Sequence, residues 1–248
     1  MKHFIQNLPD RYPNLAAKRF PKLPCPTYTL YEPIETHTTQ PNGVVLSPLI
    51  KKKQRLLLIV PWLVIGGADK FNRDFVKGLV NAGWDVTIAC TRNTVNTWRD
   101  VFAQYTSDIF ILSNFLPYAQ YPRFLRHLLV SRTPDVVMTS NSGLGYNLIP
   151  FLTASCPQAV FVDYSHAEHM SFFHGGFARM AQGLSPWYDI NFVASSHLRD
   201  WMLARGVPEE KAKVFNFLPY TGILSIYLSA LDFNVDTPIC NNTYRLVT

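Results

Sequence analysis

From residue 55 to residue 217, short and wholly apolar runs alternate with stretches whose apolar residues recur every three or four positions. No other feature narrows the fold as far. The run Leu56-Leu57-Leu58-Ile59-Val60, bounded by Arg55 and Pro61, has no polar side to turn to water, so it reads as a strand buried on both faces. The stretch 68–81 carries Phe71, Phe75, Leu79 and Val80 at helical spacing, and Gly83 just beyond it suits a C-terminal cap. Further strands are expected over 86–90, 109–112, 135–139, 159–162, 190–194 and 213–217, and helices over 121–130, 145–154 and 196–205. Leu125, Leu128 and Leu129 fall on one side of the first of these helices, and Ser195 or Ser196 is placed to cap the last. Such alternation specifies an α/β domain, a Rossmann-like open parallel sheet with helices on both faces. Ligands of such sheets bind beyond the carboxyl ends of the strands. The loops there are where chemistry is to be sought.

The flanks differ in texture. Residues 1–54 are rich in Pro, Thr and Tyr without a period and read as an irregular, basic arm; residues 218–248 read as a short tail. With 48% hydrophobic and 16% charged residues, the 248-residue chain can bury one substantial core. The net charge of +6 is fed early by Lys18, Arg19, Lys22, Lys51, Lys52, Lys53 and Arg55. That basic rim suits anionic lipid head groups, nucleic acid or a phosphorylated substrate, or is a solubilising surface. Cys25, Cys90, Cys156 and Cys240 form no Cys-x-x-Cys pair, which removes a zinc knuckle and a redox motif. Cys90 reads as a buried free thiol, and a reducing, cytoplasmic compartment is expected. No apolar stretch near Met1 is long enough for a signal peptide, and none approaches the roughly 20 residues that span a bilayer. Membrane contact would be peripheral.

Four segments could carry chemistry. The loop Pro61-Trp62-Leu63-Val64-Ile65-Gly66-Gly67-Ala68-Asp69-Lys70 joins a strand to a helix, where paired glycines allow close backbone approach and free N–H groups favour a diphosphate. A tight turn is the plainer reading. Neither Gly-x-Gly-x-x-Gly nor a Gly-Lys-Ser/Thr ending is present, which counts against a dinucleotide oxidoreductase and a P-loop. Val162-Asp163-Tyr164-Ser165-His166-Ala167-Glu168-His169 follows a strand and gathers titratable groups; His166 could donate to a sugar hydroxyl or phosphate. No metal site is expected there, because no ordered set of further ligands accompanies it and the Pro-Cys-x-x-Cys partner of a zinc deaminase is missing. Thr139-Ser140-Asn141-Ser142-Gly143 could bind acceptor hydroxyls through Asn141 and Ser142, or use them to cap a helix. Tyr121, Arg123 and Arg126 interleave aromatic and basic groups along 118–126, as would a lipid-phosphate or glycan edge or an ordinary helix surface.

Together these segments resemble glycosyltransferase family 4, the group 1 type. The resemblance rests on Pro61-Trp62 through Gly66-Gly67-Ala68-Asp69-Lys70-Phe71, Pro134-Asp135-Val136-Val137 with Ser140-Asn141-Ser142, Phe161 through His166, and Phe192 through Trp201. It covers residues 55–217, and its specificity lies in the order and spacing of the motifs. It implies one half of a GT-B fold, the acceptor-side N-terminal domain, in an enzyme that retains anomeric configuration and generally needs no metal or cofactor beyond its nucleotide-sugar co-substrate. It implies donor phosphates near Gly66, Gly67 and Ala68, a catalytic His166 near the transferred sugar, and Asn141, Ser142, Asp163 and Tyr164 on the acceptor side. The implied function is carbohydrate biosynthesis, moving a sugar from a nucleotide-sugar to a glycan, lipid-linked or small-molecule acceptor. A donor-domain partner chain and contact with a membrane surface are expected partners; nucleic acid is not.

The pattern departs from that family in one respect. The donor-binding half carries Glu-x7-Glu, whereas Glu32, Glu35, Glu168, Glu209 and Glu210 include no pair eight apart, and about thirty residues after Pro219 are too few for such a domain. The donor-binding domain is therefore expected to be absent and the chain to be incomplete as an enzyme. The alternative is a non-catalytic acceptor-binding module or truncated pseudoenzyme.

Overall fold

A computed structural model describes residues 53–215 apart from Phe173. The arm up to residue 52, Cys25, Cys240, Asn216, Phe217 and the tail lie outside the described residues.

Seven strands form one all-parallel sheet in the order β3-β2-β1-β4-β5-β6-β7. They are β1 (Arg55–Val60), β2 (Asp85–Cys90), β3 (Ile109–Ile111), β4 (Val136–Ser140), β5 (Val160–Ser165), β6 (Ile190–Val193) and β7 (Ala212–Val214). The helices between them are α1 (Gly67–Asn81), α2 (Arg99–Ala103), α3 (Tyr121–Arg132), α4 (Gly143–Ser155), α5 (Gly176–Gly183) and α6 (Ser196–Leu203). The expected fold class, a Rossmann-like sheet covered by helices on both faces, is the one formed.

Side-chain alternation along each strand explains the two layers. Leu57 and Ile59 of β1 enter one buried cluster with Val137, Phe161 and Val193, packed by Leu125, Leu128 and Leu129 of α3, Ile149 and Leu152 of α4, Ala178 and Ala181 of α5 and Leu198 of α6. Leu56, Leu58 and Val60 enter the other with Ile88, Met138 and Val162, packed by Phe75, Val76 and Leu79 of α1 and Phe102 of α2. Helices therefore change face between β1 and β4, where the strand order reverses. This is the switch point at which such sheets open a crevice.

Local signals set the helix ends. Gly83, at φ +90°, follows α1; its N–H donates to Val80 and that of Trp84 to Leu79, a Schellman closure that only glycine makes without strain. Ser142 and Ser195 cap α4 and α6 by accepting from Gly145 and Leu198. At the amino ends of the strands, acidic residues close the structure: Asp135 accepts from Arg55 N–H, Asp189 from Phe161 N–H, and Asp108 takes both arms of the buried Arg132 guanidinium at 2.7 and 2.8 Å.

Two helices, α2 and α5, are additions to the expected set. A larger correction concerns β5. The sequence reading ends this strand at Val162, before the polar groups of Asp163, Tyr164 and Ser165. The strand runs on to Ser165 because each of those polar groups finds a partner inside the protein. No helix of the described residues is long and apolar enough to cross a membrane.

Candidate functional site

The loops leaving β1, β2, β4 and β5 meet at the switch point. Pro61 ends β1, and the loop after it is knitted to the loop after β2. Arg92 N–H donates to Pro61 O (2.9 Å), Leu63 N–H to the Asn96 Oδ1 (2.7 Å), and Trp98 N–H to Leu63 O (3.0 Å). Lys70 N–H donates to Gly66 O at 2.8 Å and starts α1. Among the described residues the N–H groups of Gly67 and Ala68 have no acceptor. A helix N-terminus with free amides and the positive end of its dipole favours an anion.

Asp69 organises this turn. It is buried, which raises its pKa above the ordinary carboxylate value, and the Val64 and Asp69 backbone amides and the Trp62 indole nearby offset part of that rise. A Cβ on Gly66 would lie 2.9 Å from Asp69 Oδ2, so the close approach of that carboxylate is what position 66 requires. A Cβ on Gly67 would meet nothing within 4 Å. The two glycines thus do different work: one accommodates an internal carboxylate, the other keeps open space in front of the helix.

After β4, Asn141 turns the chain at φ +53°, half-buried and without a protein partner among the described residues. Ser142 is fully buried; besides capping α4 it shares a 2.8 Å hydrogen bond with Thr91 from the end of β2. That pair bridges the two strands on either side of β1.

β5 supplies the third component. Asp163 is fully buried inside the strand, accepting from Tyr146 Oη (2.5 Å) and Ser165 Oγ (2.9 Å), and burial pushes its carboxyl up to about 7. Tyr164 Oη donates to Phe215 O at 2.9 Å and its ring stacks on Phe71 at 3.9 Å. The sequence reading places both residues in a loop facing the acceptor; both instead support β5 from within. His166 is the first residue beyond the strand. Its Nε2 shares a 3.0 Å hydrogen bond with the buried Ser140 Oγ, and its ring lies against Tyr164 (4.6 Å) and the edge of Phe71 (5.3 Å). Burial lowers its pKa to about 4, so the imidazole is neutral at pH 7.

The structure therefore brings Gly66, Gly67, Ala68, Asn141, Ser142 and His166 to one edge of the sheet and leaves Asp163 and Tyr164 beneath it. Asp69, Thr91, Ser140 and Phe71 complete the arrangement without having been singled out. An acidic residue in the first turn of a helix, as at position 69, is a signal that could have found the first of these. No three His, Cys, Asp or Glu side chains among the described residues gather as a metal site. Five strongly exposed apolar side chains, Ile65, Val95, Tyr118, Met170 and Phe172, sit on the loops leaving β1, β2, β3 and β5.

Comparison with protein families matches residues 65–216 to Glycosyltransferase Family 4. No curated protein matches the chain. Among solved structures, Alr3699/HepE from Anabaena in complex with UDP aligns with a TM-score of 0.50 and 13% identity over 72% of this chain and 50% of its own. A glycosyltransferase from Rickettsia africae aligns at 0.48, with 15% identity over 76% and 52%, and the S. aureus MnaA–UDP structure at 0.48, with 14% identity over 65% and 43%. The chain spans about half the length of the structures it matches.

Proposed function

The chain belongs to Glycosyltransferase Family 4, and from that premise we propose that it forms the acceptor side of a cleft in which a sugar passes from a nucleotide-sugar to a hydroxyl acceptor with retention of configuration. One observation carries this reading: the free amides of α1, the Asn141 turn and the neutral His166 line up along the ends of β1, β4 and β5 at the switch point.

Their chemistry is complementary. As the bond from the anomeric carbon to the leaving oxygen breaks, the nucleoside diphosphate gains negative charge. Backbone N–H groups and a helix dipole at Gly67 and Ala68 stabilise that charge without reorganisation; a single such donor is worth roughly 3 kcal/mol in other enzymes. A neutral imidazole, held on one nitrogen by Ser140, can donate to or accept from a sugar hydroxyl with the other. Asn141 is the acceptor-facing polar side chain, with Ser142, Asp163 and Tyr164 setting the positions of the groups above them. The exposed apolar rim supports a partner surface across the cleft, either a donor-binding domain or a membrane.

The deciding experiment is hydrolysis and transfer by the full chain across a panel of nucleotide-sugar donors, with His166→Ala beside it. Turnover that falls at least tenfold in the variant is expected. A folded chain that binds acceptor glycans but turns over no donor would make it an incomplete enzyme or a binding module.

A further inference from the structure

The Arg92 guanidinium lies 4.9 Å from the centre of the Trp62 ring, within cation–π range. Arg92 is exposed, and among the described residues it has no carboxylate partner. Other acidic groups are already engaged: Asp74 pairs with Arg73, Asp85 with Lys53 and Arg55, Asp100 with Arg99, and Asp69 is buried. The platform beneath Arg92 is itself fixed. Trp62 lies in the loop knitted to the one after β2, with Leu63 N–H donating to Asn96 Oδ1, and the Arg92 backbone is tied to Pro61 O at 2.9 Å. A cation with a preset position and no internal counter-charge is what recognition of a planar or tetrahedral oxyanion requires.

Resting on the transferase reading above, we propose that Arg92, held over Trp62, is the anion-binding residue of an acceptor subsite and takes a phosphate or carboxylate group carried by the acceptor. Arg92 follows β2 and His166 follows β5, three strand spacings apart across β1 and β4. At about 4.8 Å per strand, the two are separated by roughly 14 Å. The anionic group is therefore remote from the reacting hydroxyl. The acceptor class that fits is an extended anionic glycan or phosphate-bearing carrier, not a small hydroxy acid. A donor diphosphate is the other source of the same chemistry, and it would sit one strand nearer, in front of Gly67.

Calorimetric titration of the full chain with glucose 6-phosphate, glucuronic acid, neutral glucose and inorganic pyrophosphate tests the assignment. Arg92→Gln and Arg92→Lys are compared with wild type at two salt concentrations. The charged sugars are expected to bind at least fivefold tighter than glucose. Arg92→Gln should abolish that advantage and Arg92→Lys keep part of it, while pyrophosphate binding is unchanged in Arg92→Gln and reduced in Gly67→Val. Melting temperatures of the Arg92 variants should stay within about 3 °C of wild type, as expected for an exposed contact. The proposal is overturned if the charged sugars bind no tighter than glucose, or if Arg92→Gln leaves their advantage intact. Loss of pyrophosphate binding alone in Arg92→Gln would move the residue to the donor side and also overturn it. A chain that shows the Arg92-dependent advantage but binds no pyrophosphate would refute the donor-phosphate site on which the transferase reading rests and leave the subsite standing.

Discussion

Replacing Asp163 by Asn should make the protein more stable at pH 8 and change it far less at pH 5. The carboxyl is fully buried between β4, β6 and α4, and burial moves it from an ordinary 3.8 to about 7 despite hydrogen bonds from Tyr146 and Ser165. A raised carboxyl pKa means the folded state binds more protons than the unfolded state between those values. Its destabilising effect is absent below pH 4, grows as pH rises, and is complete above pH 7. At about 1.4 kcal/mol per pH unit, the full effect is about 4 kcal/mol, of which roughly 2–3 kcal/mol develops between pH 5 and pH 8. Asparagine has the same shape, and the Tyr146 and Ser165 hydroxyls can turn to accept from its amide. Urea unfolding of both proteins at pH 5, 6, 7 and 8 gives the stability difference directly. A difference independent of pH would refute the reasoning, because the carboxyl would then titrate alike in folded and unfolded chains.

Three further outcomes follow from the same geometry. Gly67→Val should weaken nucleotide-sugar binding about tenfold or more while costing less than about 1 kcal/mol of stability, since a side chain there meets only open space; calorimetry and thermal melting read the two effects separately. If transfer depends on neutral His166, the acid limb of its rate profile should lie near pH 4 and not near 6.5. The same depressed pKa predicts that stability from this group is lost as pH falls from 6.5 towards 4, and that His166→Gln flattens this part of the unfolding curve. Asp108→Ala removes the carboxylate from a bidentate pair with a buried guanidinium and should cost about 3 kcal/mol in urea unfolding.

The sheet was legible because parallel strands buried on both faces must be wholly apolar, and β1, β2 and β4 are nearly so. Serine caps and Gly83 were legible because their chemistry is local. The extent of β5 was not, since Asp163 is tolerated in a strand only by virtue of Tyr146, seventeen residues away on α4. Likewise the glycine pair was visible as a motif, but its division of labour depends on where the Asp69 carboxylate lies. The Trp62–Arg92 contact joins two loops thirty residues apart and leaves no periodic trace in the chain.

The loop that begins at His166 is fastened at both ends. At one, Ser140 and Phe71 hold the histidine. At the other, His174, Gly175 and Gly176 all have positive φ, and a Cβ on Gly175 would collide with the Trp201 ring at 2.8 Å. Exposed side chains such as His169, Met170 and Phe172 lie between these anchors. The stretch between is tied as well, by Glu168 to His197 at 2.7 Å and by Gly175 N–H to His169 O at 3.1 Å, so outward side chains, and not the length of the loop, are what can vary without displacing the histidine. Variation on this scaffold is thereby directed to the side chains presented beside the histidine, while the backbone that positions it is kept.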